Sequence, residues 1–202
     1  EAKQAGIAMA IPYFQARDLI ARHDIAVFSS NYTLYGDLSR RVMDTLRMLT
    51  GENNVEVYSV DEAFVDLPDM TAEQAASYGL HIRNTIEQWT GISVSVGIAP
   101  TKTLAKAANY LAKKNKQQSQ CVTTLVTPEQ QYIALRSIRV NNLWGVGRAY
   151  ADKLINMGIT SAWDLRNMSE QWANKQLGGV VGVRLIKELR GEPGIDMREQ
   201  LD

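Results

Sequence analysis

From Ile92 to Ile98 the chain alternates without exception, with Ile92, Val94, Val96 and Ile98 on one side and Ser93, Ser95 and Gly97 on the other. A period of two over that length predicts a strand with one face against an apolar core. Pro100 ends it, and Thr101 can cap a helix over Thr103 to Lys113, in which Leu104, Ala108 and Leu111 share the core-facing side. A strand that feeds directly into an amphipathic helix needs further strands beside it and further helices over it.

The rest of the chain supplies them. Val55 to Leu67 reads as a hairpin, with arms Val55–Tyr58 and Ala63–Leu67 around a tight turn at Ser59–Glu62. Tyr35, Leu38, Val42, Leu46 and Leu49 recur at helical steps between a capping Asn31 and a terminating Gly51. Ala75, Tyr78, Ile82, Ile86 and Trp89 repeat that rhythm, opened by Thr71 and Gln74 at capping-box spacing and closed by Gly91. This order predicts an α+β layer with helices on one face of a mainly antiparallel sheet. Ile11 to His23 reads as one helix, the polar run Lys113 to Gln120 as a solvated loop, and the chain after Thr127–Pro128 as a separate all-α unit.

Composition excludes several classes. The 22 basic residues balance the 22 acidic ones, so any affinity for nucleic acid must come from where the charges are placed. One cysteine, Cys121, allows no internal disulfide; a reducing, cytoplasmic setting suits it, and a small buried side chain is its expected use. No apolar run is long enough to span a membrane, so no membrane is expected. Glu1 to Gly6 has no signal-peptide pattern and no initiating Met, and a truncated start is expected. His23 and His81 stand alone, which argues against a histidine metal site or a catalytic triad.

Three motifs carry chemistry. Asp61 and Glu62 place adjacent carboxylates at the hairpin tip, where they form either a solvated acidic turn or a hard-oxygen site for a cation such as Mg2+. Lys102, Lys106 and Lys113 fall within a stripe about 40° wide on one helix. They are either a solvated face or, beside the carboxylates, a cradle for a triphosphate. Gly145, Val146, Gly147 and Arg148 make a G-x-G turn into a helix, either a plain helix–helix connection or a helix–hairpin–helix contact with DNA phosphates. Trp144, Trp163 and Trp172 are expected to pack rather than to stack on bases.

Together these motifs resemble the Y-family of translesion DNA polymerases. SVDEAFVDL (Ser59–Leu67) is similar to that family's catalytic hairpin, SVGIAPTKTLAKAAN (Ser95–Asn109) to its strand–helix signature and LWGVGRAYADKLINMGI (Leu143–Ile159) to its thumb hairpin. FSSNYTLYGDLSRRVM (Phe28–Met43) resembles the UmuC branch, and the likeness runs essentially end to end. The resemblance implies fingers over residues 1–30, palm over 31–126 and an all-α thumb with a helix–hairpin–helix over 127–202. It implies that Asp61 and Glu62 are catalytic metal ligands for two Mg2+ ions, that Lys3 and Lys113 reach the dNTP triphosphate, and that Gly145, Val146, Gly147 and Arg148 contact DNA. Many members carry Arg at the Lys3 position; Lys keeps the charge and loses the bidentate fork.

The implied activity is error-prone addition of dNTPs to a primer–template by two-metal phosphoryl transfer, in DNA repair and the SOS response. The family's third carboxylate is expected upstream of Glu1, and its little finger and clamp-binding tail beyond Asp202. A fragment so cut is expected to be inactive alone and to self-associate through an open strand edge. A UmuD-like dimer, a RecA filament and a sliding clamp are the partners implied for the whole protein. Two other readings stay open: a nucleotide cyclase, and a non-catalytic DNA-binding or protein-interaction remnant.

Overall fold

Residues 1–198 are described by a computed structural model, and residues 199–202, the end of the expected thumb, lie outside the described residues. The chain divides into two compact units, Glu1–Tyr35 and the remainder from Gly36 onward. The first unit holds helix α1 (Tyr13–Arg22), which buries Ala16. Helix α2 (Tyr32–Thr50) begins where Asn31 Oδ1 accepts the Leu34 N–H at 3.0 Å, the cap expected at that position.

After α2 a single 3-10 turn (Glu52–Asn54) leads to strands β1 (Val55–Ser59) and β2 (Glu62–Val65). They pair antiparallel with Val55 opposite Val65 and Ser59 opposite Glu62, and a bulge at Tyr58 shifts the register. A bulge of this kind re-aims one side chain, here the Tyr58 ring. Helix α3 (Ala72–Thr90) has the Thr71–Gln74 capping box in full and ends on a left-handed Gly91. Met43, Leu46, Val55, Ile82 and Ile86 bury together, so α2, the hairpin and α3 share one core.

Strand β3 is shorter than the alternation suggests: Val96–Ile98, not Ile92 to Ile98. Its first ladder bond runs from Val96 N–H to Cys121 O, whereas Ile92 N–H donates to Thr90 Oγ1, and among the described residues Ile92 to Ser95 pairs with no strand. Helix α4 (Lys102–Lys114) follows, capped by Thr101 as expected. The polar run after it is not only a loop, because Lys116–Ser119 forms a one-turn helix, α5. Gln120 and Cys121 then turn through positive φ into β4 (Val122–Thr124), and Cys121 is half-buried rather than fully inside.

Strands β3 and β4 are parallel, with α4 and α5 between them. The described residues therefore hold two separate two-stranded sheets, one antiparallel and one parallel, in place of a single mainly antiparallel sheet. Two glycines let helices approach this parallel pair. A Cβ on Gly97 would lie 2.4 Å from Ala105 O of α4, and one on Gly79 of α3 would lie 2.6 Å from Val122 Cγ1.

Helices α6 (Pro128–Ser137), α7 (Arg148–Asn156), α8 (Ala162–Arg166), α9 (Glu170–Gln176) and α10 (Val180–Leu189) follow. Their buried residues form one cluster with Leu104, Ala107 and Ala108 of α4, so the helical part does not close a core of its own. Glu188 of α10 is fully buried and ties this junction. Its carboxylate accepts Thr103 N–H at 3.1 Å and Gly194 N–H at 2.7 Å, at the N-terminus of α4 where negative charge is favoured. No helix among the described residues is long and apolar enough to cross a membrane.

Candidate active site

The β1–β2 turn brings its carboxylates forward through local bonds. Ser59 Oγ donates to Asp61 Oδ1 at 2.7 Å and accepts the Asp61 N–H at 3.4 Å, which fixes the side chain over its own turn. Glu62 starts β2, and Lys106 Nζ donates to its Oε1 across a half-buried contact. The lysine stripe and the carboxylate turn thus face each other, through Lys106.

The stripe is not uniform. Lys102, read with the stripe as either a solvated face or part of a triphosphate cradle, is instead buried, donating to Glu56 Oε2 at 2.6 Å and to Asp196 O at 2.8 Å. The partner lies 46 positions away in sequence, which is why helical periodicity could not reveal it. Lys113 is exposed at the far end of α4, about 10 Å along the axis from Lys106. Lys3 belongs to the first unit, in a turn where its carbonyl accepts the Gly6 N–H at 3.1 Å.

The G-x-G turn sits immediately before α7. Gly145 has φ +89°, a conformation that favours glycine, and Val146 is anchored in the core. Gly147 caps α7 in an extended conformation with no side-chain partner for the helix N-terminus, and a Cβ there would meet nothing within 4 Å. Gly145, Gly147 and Arg148 are exposed, so the turn into α7 lies at the surface.

Sequence reasoning missed how the turn and this loop are joined. Trp144 lies edge-on to Tyr58, with centroids 6.0 Å apart at 81°, and its Nε1–H donates to Tyr58 Oη at 3.4 Å. The alternation of hairpin and loop carried no signal for it; the adjacency of Trp144 to the G-x-G turn was the only hint. Trp163 and Trp172 pack against the helical core, as expected.

Asp61 and Glu62 are hard oxygen donors, the type Mg2+ selects, and both sit where an ion could reach them. Among the described residues, no three Asp, Glu, His or Cys side chains gather into one cluster that could hold a metal ion.

This architecture is the fold of the Y-family DNA polymerases. It superposes on a Y-family DNA polymerase chimera with a TM-score of 0.80 at 23% identity, covering 100% of this chain and 57% of that one. An insertion ternary complex of Dbh DNA polymerase matches with a TM-score of 0.78 at 23% identity, over 97% of this chain and 55% of that one. The chain belongs to the impB/mucB/samB family, whose model matches residues 1–110. It is 44% identical over 200 residues to protein UmuC of Salmonella typhimurium, a match that covers 98% of this chain and 47% of that protein. The chain spans about half the length of the curated relatives it matches.

Proposed function

We propose that this chain is the catalytic part of an error-prone, translesion DNA polymerase, with fingers over residues 1–30, palm over 31–126 and thumb from 127 on. The observation that carries this reading is the facing of the Asp61–Glu62 turn and the lysine helix α4, with Lys106 on Glu62. Family membership and the polymerase named in the matched structures support it.

In this reading Asp61 and Glu62 hold divalent cations at the hairpin tip. When bound, two Mg2+ ions would activate the primer 3′-OH and neutralise the leaving pyrophosphate. Lys113 and Lys3 bind the triphosphate of the incoming dNTP as point charges. The loop Gly145, Val146, Gly147 and Arg148 holds DNA phosphates through backbone N–H groups and one guanidinium, which positions the duplex without reading its sequence. Ser59 keeps the Asp61 carboxylate in place between turnovers.

Template dependence tests the proposal. Given a primer–template, Mg2+ and all four dNTPs, a chain of the relatives' full length should add the nucleotide complementary to the template base. Addition that ignores the template, or conversion of a free nucleoside triphosphate to a cyclic nucleotide, would contradict it.

A further inference from the structure

Three aromatic rings meet beside the carboxylate turn. Tyr58 at the β1 bulge, Phe64 of β2 and Trp144 before the G-x-G turn have centroids 5.5, 6.0 and 5.7 Å apart, all in edge-on or tilted pairs. Two lysines of α4 lie over this triangle, Lys102 Nζ 4.7 Å from the Phe64 centroid and Lys106 Nζ 5.8 Å from that of Tyr58. Each lysine also holds a glutamate of the hairpin, Lys102 with Glu56 and Lys106 with Glu62. The contacts therefore run unbroken from Trp144 to Tyr58, to Lys106, to Glu62.

We propose that Trp144 is a positioning residue, which through Tyr58 and Lys106 sets where Glu62 stands relative to the N-terminus of α7. This rests on reading Glu62 as a metal ligand and residues 145–148 as the DNA-phosphate loop. Two observations separate this role from general packing. Leu143 and Val146, on either side of Trp144, are both buried in the helical core, so the loop stays attached without the indole. Trp144 itself is only half-buried, and its polar atom is spent on Tyr58 of the hairpin rather than on its own loop. An indole is also the side chain that can touch two rings and donate an N–H at once. Remove it, and the loop keeps its anchor while the hairpin loses its register to the loop.

Distance measurement tests this on the 202-residue chain without metal or substrate. In a Cys121→Ser background, spin labels at Val60→Cys and Met157→Cys, both exposed, report the separation of the hairpin tip from the far end of α7. Pulsed EPR should give a narrow distribution for Trp144, a clearly broader or shifted one for Trp144→Ala, and recovery with Trp144→Phe, which keeps the ring contacts. An unchanged distribution in Trp144→Ala would overturn the proposal. If Trp144→Ala does not fold, Trp144→Leu preserves apolar bulk and carries the same comparison.

A second arm uses a chain of the relatives' full length. Trp144→Ala should lower kcat for insertion by about ten- to a hundredfold, as a misplaced reacting group does, while KM for dNTP and Kd for DNA change little. Glu62→Ala run in parallel separates the failures. An inactive Glu62→Ala beside a Trp144→Ala with unchanged kcat sinks the positioning role alone. A fully active Glu62→Ala sinks the functional reading, and the EPR widths then decide the geometric claim by themselves.

Discussion

Lys102 Nζ lies 2.6 Å from Glu56 Oε2, and the two side chains are 8% and 6% exposed. The same carboxylate oxygen accepts the Arg198 N–H at 2.8 Å, and the ammonium also donates to Asp196 O. One buried ion pair thus ties the hairpin, the start of α4 and the chain that leaves α10. A charge in this setting is costly if its partner is removed, because neither water nor another counter-ion replaces it. Glu56→Ala or Lys102→Met alone should destabilise folding by about 3–5 kcal/mol, read from urea unfolding. The double variant Glu56→Leu with Lys102→Met should recover much of that loss. A single substitution costing less than about 1 kcal/mol would show the pair to be solvated in effect.

Gly97 and Gly147 should respond differently to the same change. A Cβ on Gly97 would lie 2.4 Å from both Ala105 O and Asn109 N, two backbone atoms that can move only with the helix. Gly97→Ala should cost at least about 2 kcal/mol, since overpacking forces α4 off the strand. Gly147 has neither a neighbour within 4 Å nor a left-handed φ, so Gly147→Ala should leave the thermal midpoint unchanged. A bulkier residue at Gly147 should still weaken DNA binding, about equally for unrelated sequences. Binding isotherms on two unrelated duplexes check this, and a loss confined to one sequence would contradict backbone contact.

Asp164 gives the chain a local pH dependence. The backbone N–H of Ser161 is the largest influence and lowers its pKa from the usual 3.8; burial opposes it, and the Ser161 hydroxyl with the Thr160 N–H and hydroxyl add to the lowering. A carboxyl whose folded pKa is depressed stabilises the fold above its unfolded pKa and loses that contribution as pH falls through the folded one. The urea midpoint of wild type minus that of Asp164→Asn should therefore be constant above about pH 5 and shrink below about pH 4. A difference that grows on acidification would reverse the sign and refute the assignment.

Much of the framework was legible because its signals are local. The Asn31 cap, the Thr71–Gln74 box, the left-handed Gly91 and the Thr101 cap each act within about one helical turn, and each is where sequence placed it. The hairpin was legible for the same reason. Strand β4 was not: Val122–Thr124 is three residues long, two of them polar, and it is a strand only because β3 lies alongside.

Glu56, Lys102 and Glu188 were illegible for a related reason. Each is a charged residue, of a type rarely buried without a partner, and each is buried by a partner far along the chain. An inward Glu beside Val55 in a strand was a signal of sorts, since a buried carboxylate demands a counter-ion. The neighbouring Asp61 and Glu62 were found because adjacent carboxylates in a turn are conspicuous in one dimension. Trp144 needed the third.

Metal-dependent insertion by carboxylate variants tests the central claim most directly. In a chain of the relatives' full length, Asp61→Ala and Glu62→Ala should each lower single-nucleotide insertion by at least about a thousandfold. Both side chains are partly or fully open to solvent, so neither change should shift the thermal midpoint or the DNA affinity appreciably. That combination, lost insertion with intact folding and binding, is the predicted result; insertion at the wild-type rate by either variant would contradict the account.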